Sequence, residues 1–303
     1  GYCVCEGAVG VSWCRALRRE MEMLQSGGAL QPSLNLLASG KGGMGAGALC
    51  QKLGIAETSV LVDGRLTSSN FGQVDAGDLR VAPATPTLEQ CATECTPRLL
   101  RSINTAVPWL GISRVDTIKV QHNAGVGGCF PMHYDTSART GRRLTAVVYL
   151  EEGWVESDGG ALRIYPFPLT HVDVPPRAGT LVLFSSVACL HRVMPAYSSR
   201  FALSIWFGES PSTQMPGRPF PASFPPWVDD EAASALGFLR QPKHFSALTK
   251  VLYADEWAES VEDAFGSASE TACVAAALEL HYEEARRLES GMCVQLLKLL
   301  RET

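Results

Sequence analysis

The chain has 303 residues, of which 46% are hydrophobic and 19% charged, and a formal net charge of -5. That is enough apolar chain for one large domain, or one domain with an appendage. The mildly acidic balance argues against a nucleic-acid or membrane-surface binder, and no apolar run approaches the roughly 18 residues of a spanning helix.

The N-terminus lacks the basic-then-apolar layout of a signal peptide and begins at Gly1 rather than Met, as an excised piece of a longer protein would. "GYCVCEGAVG" reads as a short strand and a turn, and residues 13–25 carry charged and apolar side chains at helical spacing. Residues 27–50 are rich in Gly, Ser and Ala and read as a flexible loop. Within them "GKGGMGAG" hints at a phosphate loop but lacks the Lys-Ser/Thr ending and a strand to feed it. Residues 57–86 read as short extended pieces and turns, and 85–107 as a helix broken by Pro97 or as two short helices.

From residue 112 the period changes. Strand candidates follow at 115–123, 125–135, 142–152, 159–166, 179–186, 188–196 and 200–209, separated by Gly/Pro turns. This spacing describes a sandwich, barrel or jelly roll. Residue 211 opens a Pro-rich connector, and 229–240, 244–265 and 268–301 read as helices. In the last, Leu280, Leu288, Cys293 and Leu297 fall near one face, with Gly291 a point for a kink. That face suits packing on the rest of the chain or docking a partner.

The ten cysteines include no CxxC and sit in apolar contexts, as reduced buried thiols do, which points to the cytosol or nucleus. Cys91 and Cys95, four apart, suit either half a metal site or ordinary thiols on a helix.

The segment "CFPMHYD" places His133 and Asp135 two residues apart in an extended stretch, so both point to one face. A buried imidazole and carboxylate need a partner, and a divalent metal is one; a solvated face needs none. Among six histidines, His191 in the strand candidate "ACLHRVMPA" is placed to join them across a jelly roll. Two histidines and a carboxylate suit non-haem iron(II), and equally zinc. Nine residues on, Arg200 opens a strand in which Ala202, Ser204 and Trp206 share its face. Arg200 offers a bidentate contact to a carboxylate, with hydroxyls from Ser204 and Tyr149. A metal beside such a pocket suits a dicarboxylate chelating iron at one end, as 2-oxoglutarate does. Apolar strand faces at Val147, Leu181 and Leu183 would shield the reaction from water.

With "HYD", "VVYLEEGW", "GGALRI" and "HRVMPAYSSRFALSIWF", the stretch 115–209 resembles the 2-oxoglutarate/iron(II) prolyl 4-hydroxylase superfamily. It is most similar to the intracellular branch, the oxygen-sensing hypoxia-inducible-factor prolyl hydroxylases and their protist relatives. The resemblance implies an α+β fold: a double-stranded β-helix (jelly-roll) core with N-terminal supporting helices and a C-terminal helical extension. It divides the chain into an oxygenase domain over 1–210, with its core at about 115–209, and a connector and helical extension over 211–303. It implies Fe(II), 2-oxoglutarate, O2 and ascorbate, and as partner a protein substrate with a target proline. His133, Asp135 and His191 match the iron ligands, and Arg200, Tyr149 and Ser204 the co-substrate contacts. Asn123 stands where the oxygen-sensing enzymes place a tyrosine near the metal, and so takes the co-substrate contact there. Arg142 and Trp206 fall at the substrate side. A hydroxylase of a non-prolyl or small-molecule substrate, or a jelly roll that binds a partner without turnover, are the alternatives.

Overall fold

The computed structural model describes residues 1–38, 47–67, 85–136, 141–167, 170–209, 242–267 and 271–292, together with Leu297 and Arg301. In chain order the elements are β1 (Tyr2–Cys5), α1 (Val11–Ser26), β2 (Gln31–Ala38), β3 (Gly47–Val62), β4 (Arg65–Leu66), α2 (Pro86–Gln90), α3 (Thr96–Ala106), β5 (Arg114–Asn123), β6 (Gly128–His133) and β7 (Arg142–Tyr149). They continue with β8 (Leu162–Tyr165), β9 (Val172–Val174), β10 (Leu181–Ser185), β11 (Leu190–Ala196), β12 (Arg200–Gly208), α4 (Pro242–Leu252), α5 (Ala254–Phe265) and α6 (Ala272–Ser290).

The strands form two antiparallel sheets, a large one ordered β1-β10-β7-β12-β5-β3-β2 with β4 on β3, and a small one ordered β6-β11-β8-β9. Helices flank both, which makes the fold the α+β jelly roll that the sequence implies.

β12 lies at the middle of the large sheet and is buried at every position. Its odd residues Phe201, Leu203, Ile205 and Phe207 join Ile118 and Val120 of β5 and Ala146 and Val148 of β7. Together they pack on Cys14, Leu17, Met21 and Leu24 of α1, Leu88 of α2 and Ile103 of α3. Each such aliphatic side chain contributes about 1.5–3 kcal/mol on burial, so this layer anchors the sheet. Glu20 of α1 ties the helices together, accepting the Thr87 and Leu88 N–H groups at 2.8 Å each at the start of α2, where a carboxylate is favoured. On the other side of the large sheet, Val147, Tyr149, Val182, Phe184 and Ala202 meet Leu162, Ile164 and Val174 of the small sheet.

The outer side of the small sheet is covered by the C-terminal helices. Met132, Tyr165 and Leu190 pack with Tyr134, Tyr253 and Trp257. The Met132 N–H donates to Ser260 Oγ at 2.9 Å, Arg192 pairs with Asp263 at 2.6 Å, and the Tyr165 hydroxyl donates to Glu256. The last helix packs on the body of the chain, with Leu288 and Leu297 against Ala247, Leu248 and Val251 of α4.

Several elements differ from the sequence reading. Much of 27–50 is not loop but a hairpin of β2 and the start of β3, with Leu36 opposite Leu49. Its polarity is inverted, Ser33 and Lys52 buried and Leu34, Leu36, Leu49 and Leu53 exposed, so the usual apolar-inward signal is missing. "GKGGMGAG" lies outside the described residues apart from Gly47, as do the connector and the helix expected at 229–240. The 85–107 segment is nearly continuous: a π turn at Cys91–Cys95 joins α2 to α3, and its wider hydrogen-bond spacing comes just before Pro97, which cannot donate. The helix expected over 244–265 is two, broken at Tyr253, and α6 stops at Gly291 instead of kinking there. The strand β9 was not separated in the sequence. Cys50 and Cys273, expected as free thiols, are joined in a disulfide that ties β3 to α6 across 223 residues.

Candidate metal centre

Strand register builds the first part of the site. In the small sheet His133 on β6 stands directly opposite His191 on β11, and their rings lie 4.3 Å apart, centroid to centroid. Asp135 follows β6 by two residues, and one ligand atom from each of the three side chains lies within 4.8 Å of the others. Both imidazoles are oriented by the backbone: His133 Nδ1 bonds the Pro131 carbonyl at 2.7 Å, and His191 Nδ1 the Cys189 carbonyl at 3.1 Å. Each carbonyl fixes the tautomer that leaves Nε2 as a free lone pair, the arrangement of a metal-ligating histidine. Thr145 Oγ1 donates to Asp135 Oδ2 at 2.6 Å and lies 2.8 Å from Ser186 Oγ. Since the threonine has one proton to give, Ser186 is the donor of that second bond.

The charge states agree with this geometry. Burial alone would raise the Asp135 pKa, but His191, His133 and the Thr145 bond hold it well below the usual carboxylate range. Burial, then the neighbouring His133, lowers His191 to about 4 despite Asp135, so its ring is neutral near pH 7. A carboxylate and two neutral imidazoles are the forms that bind a divalent cation. The His191 and Asp135 side chains are 5% and 8% exposed and His133 36%, so the cluster opens on the His133 side.

That opening faces a cavity of about 300 Å³ between the sheets. Even positions of β12 line it: Arg200, Ala202, Ser204 and Trp206. Cross-strand pairing sets Ala202 beside Tyr149, Ser204 beside Val147 and Trp206 beside Thr145, so β7 lends its own alternate residues to the same wall. Arg200 is 7% exposed, and its Nε and Nη1 have no hydrogen-bond partner. A buried guanidinium left this way is costly unless an anion completes it. Gly160 makes the space: its φ is +71°, and a Cβ there would come within 2.9 Å of Arg200 Nε. The Arg200 guanidinium lies 5.8 Å from the Tyr149 ring; burial pushes the Tyr149 phenol up to about 12 while Arg200 pulls it down. It therefore stays a neutral donor.

Of the residues read from the sequence, His133, Asp135, His191, Arg200, Tyr149, Ser204, Arg142 and Trp206 all line this one cavity. Ser204 Oγ donates to Gln121 Oε1 at 2.9 Å. Arg142 is bound to Asp116 at 2.9 Å and stacks 4.5 Å from the centroid of Trp206. Asn123, expected as a co-substrate contact, stands opposite Arg200 across the β5–β12 ladder. Its amide donates to the Gly128 carbonyl at 2.7 Å and accepts from Gly125 N–H at 3.0 Å, so it braces the turn before β6. Gln121, two positions earlier, is the amide on the cavity wall. The shielding face of β10 is also shifted by one: Leu181 and Leu183 pack toward the helices, while Val182 and Phe184 face inward with Val147. Thr145 was missed, although period-2 counting from Tyr149 through Val147 reaches it. Asn35, Lys52 and Glu57 were missed: 27–50 was read as loop, 51–56 was given no element, and 57–86 was read only as short extended pieces and turns.

Residues 118–208 match the family described as the 2OG-Fe(II) oxygenase superfamily. A hypoxia-inducible factor prolyl hydroxylase of Caenorhabditis elegans is 41% identical over 86 residues, 27% of this chain and 12% of that protein. Egl nine homolog 1 of Homo sapiens is 34% identical over 86 residues, 27% of this chain and 20% of that one. The match thus spans a fifth or less of these relatives' length. A crystal structure from work on prolyl 4-hydroxylases of Phytophthora capsici superposes with a TM-score of 0.68 at 26% identity, covering 100% of this chain and 88% of the other. A Trichoplax adhaerens prolyl hydroxylase, in complex with a hypoxia inducible factor peptide, shares the fold with a TM-score of 0.51 at 23% identity, over 69% of this chain and 84% of that one.

Proposed function

We propose that this chain, which belongs through residues 118–208 to the 2OG-Fe(II) oxygenase superfamily, is a 2-oxoglutarate- and O2-dependent dioxygenase that hydroxylates proline in a protein of the cytoplasm or nucleus. The observation that carries the reading is the pairing, in one cavity, of a three-ligand cluster with a buried Arg200 whose Nε and Nη1 are unpartnered. A zinc hydrolase would have no use for that guanidinium.

The residues fit the absent groups. His133, Asp135 and His191 would hold iron(II) by one face and leave its remaining positions toward the cavity. Arg200 would take the far carboxylate of 2-oxoglutarate in a bidentate contact, with Tyr149 and Ser204 beside it. When bound, iron and 2-oxoglutarate supply oxygen activation, with release of succinate and CO2 and transfer of a hydroxyl group to the substrate. Val147 and Phe184 exclude water, Thr145 keeps Asp135 ionised and aimed, and Arg142 stacked on Trp206 forms a wall on the substrate side. Ascorbate would sustain turnover by keeping iron reduced. A role in oxygen sensing follows if the oxygen affinity is weak enough to vary with supply.

The test is succinate formation from 2-oxoglutarate by purified protein with iron(II), ascorbate and oxygen, alongside His133→Ala and Arg200→Ala. Turnover lost in both variants supports the oxygenase, and a gain of one oxygen atom on proline in a peptide supports the prolyl assignment. Oxidation confined to a small molecule would sink the substrate claim and leave the chemistry.

A further inference from the structure

Lys52 stands on the cavity wall and has no place in the chemistry above. It is 4% exposed. Its Nζ donates to Ser33 Oγ and Asn35 Oδ1, each at 2.9 Å, and lies 4.9 Å from the centroid of Phe130. Both acceptors are neutral, and an ammonium has three protons to donate.

Its neighbours are balanced without it. Lys119 and Glu57 pair at 2.7 Å, and Arg142 pairs with Asp116 at 2.9 Å. Asp135 belongs to the ligand cluster, and Arg200 to the co-substrate carboxylate. With iron(II) and doubly charged 2-oxoglutarate in place, Asp135 and Arg200 bring that group to neutrality. Among the described residues that line the cavity, Lys52 is then the one cation without an ion pair of its own, since Glu57, which faces it, is paired to Lys119. Burial lowers its pKa from 10.5 to about 8, so it remains an ammonium at neutral pH. A buried cation hydrogen-bonded only to neutral acceptors, with Glu57 nearby but paired to Lys119, bears a desolvation cost that a further anion would offset.

We infer that Lys52 is a specificity-determining residue, and that the substrate is a prolyl peptide presenting an aspartate or glutamate carboxylate to it. The inference rests on the prolyl hydroxylase reading. The two strands of the hairpin supply the whole receptor: Ser33 and Asn35 on β2 hold the ammonium, and Lys52 on β3 carries it. β6, with Phe130, joins that receptor to the ligand strand that ends at His133.

The test uses full-length protein loaded with iron(II) and 2-oxoglutarate under anaerobic conditions, so that binding is read without turnover. Fluorescein-labelled proline peptide pools, identical except for Glu, Gln or Lys at the positions flanking proline, are titrated and followed by anisotropy. The Glu pool is expected to bind about ten-fold more tightly than the Gln pool, the size of one charge-assisted hydrogen bond. Lys52→Met is expected to bring the two pools within about two-fold, and Lys52→Glu to favour the Lys pool. Should Lys52→Glu not fold, Lys52→Gln carries the comparison. Equal binding of the pools by the wild type overturns the inference. So does an undiminished Glu preference in both Lys52→Met and Lys52→Gln, or binding of no pool by a wild type that still forms succinate. Succinate formation without peptide reports the oxygenase reading separately, so its failure is distinguishable from failure of the Lys52 assignment.

Discussion

On β12 the apolar residues Phe201, Leu203, Ile205 and Phe207 face the helices, and Arg200, Ala202, Ser204 and Trp206 face the cavity. On the β2–β3 hairpin the order is reversed: Lys52 and Asn35 face the cavity, and Leu36 and Leu49 stand 68% exposed to solvent. β12 therefore serves cavity and stability together, since one face lines the cavity and the other is the main core. The hairpin supplies charge to the cavity and almost no core of its own. The His133, Asp135 and His191 cluster and Arg200 lie in the stretch that matches the oxygenase superfamily, and Lys52 and the covering helices lie in the flanks.

The sharpest way to break that division is at the ligands. His191→Ala should weaken iron(II) binding by more than about 100-fold, beyond what loss of an outer-shell partner costs, and calorimetry should still show a cooperative unfolding transition. Collapse of the fold would mean that the cluster is structural. Next in size, Arg200→Gln should weaken 2-oxoglutarate binding by about 50-fold, read by equilibrium titration, with iron(II) affinity nearly unchanged. If both fall together, the two halves of the site are not separable. A flank is probed by Asp263→Asn, which leaves Arg192 charged and 2% exposed beneath α5. Urea unfolding should show a loss of about 2 kcal/mol, reduced from the fully buried case because Asp263 is itself one-third exposed. Iron(II) affinity should change by less than about three-fold.

The narrowest effect is a pH dependence confined to alkaline solution. Lys52 has a folded pKa of about 8 against 10.5 unfolded, because burial opposes its charge while Glu57, Lys119 and Cys129 face it from β3, β5 and β6. Between those values the unfolded chain binds more protons, so stability rises with pH from about 8 to about 10.5. Denaturant melts should show a gain of about 3 kcal/mol across that window that Lys52→Met lacks. A flat wild-type profile would mean that the ammonium is better solvated than its surroundings suggest.

The same contrast explains what was legible in the sequence. "RFALSIWF" can be read because its strand parity assigns every residue, and "HYD" because period 2 converges its two polar groups. The hairpin hid itself: with leucines outside and Ser33, Asn35 and Lys52 inside, its alternation looks like a polar loop dotted with leucines. The bonds of the Asn123 amide to Gly125 and Gly128 were not legible, because position relative to His133 does not reveal them. Leu181 and Leu183 were put on the wrong face because an apolar run has no polar partner to mark its parity. The Cys50–Cys273 bond joins residues 223 apart, and no local pattern announces it.

The cover that α5 gives β6 bears on how the chain is made. Met132 and its partner Ser260 are 128 residues apart. At the usual pace of synthesis, β6 waits roughly 6–25 s on the ribosome before α5 emerges. In the later part of that interval, once His191 is made, all three candidate ligands exist, yet Arg192 and Tyr165 have no acid to meet, and the back of β6 is bare. β1 has the opposite schedule: it is made first and must wait for β10, its neighbour at the sheet edge. β1 and α5 thus close the sheets from opposite directions along the sequence, and a chain stopped before α5 would carry all three candidate ligands on strands with nothing behind them.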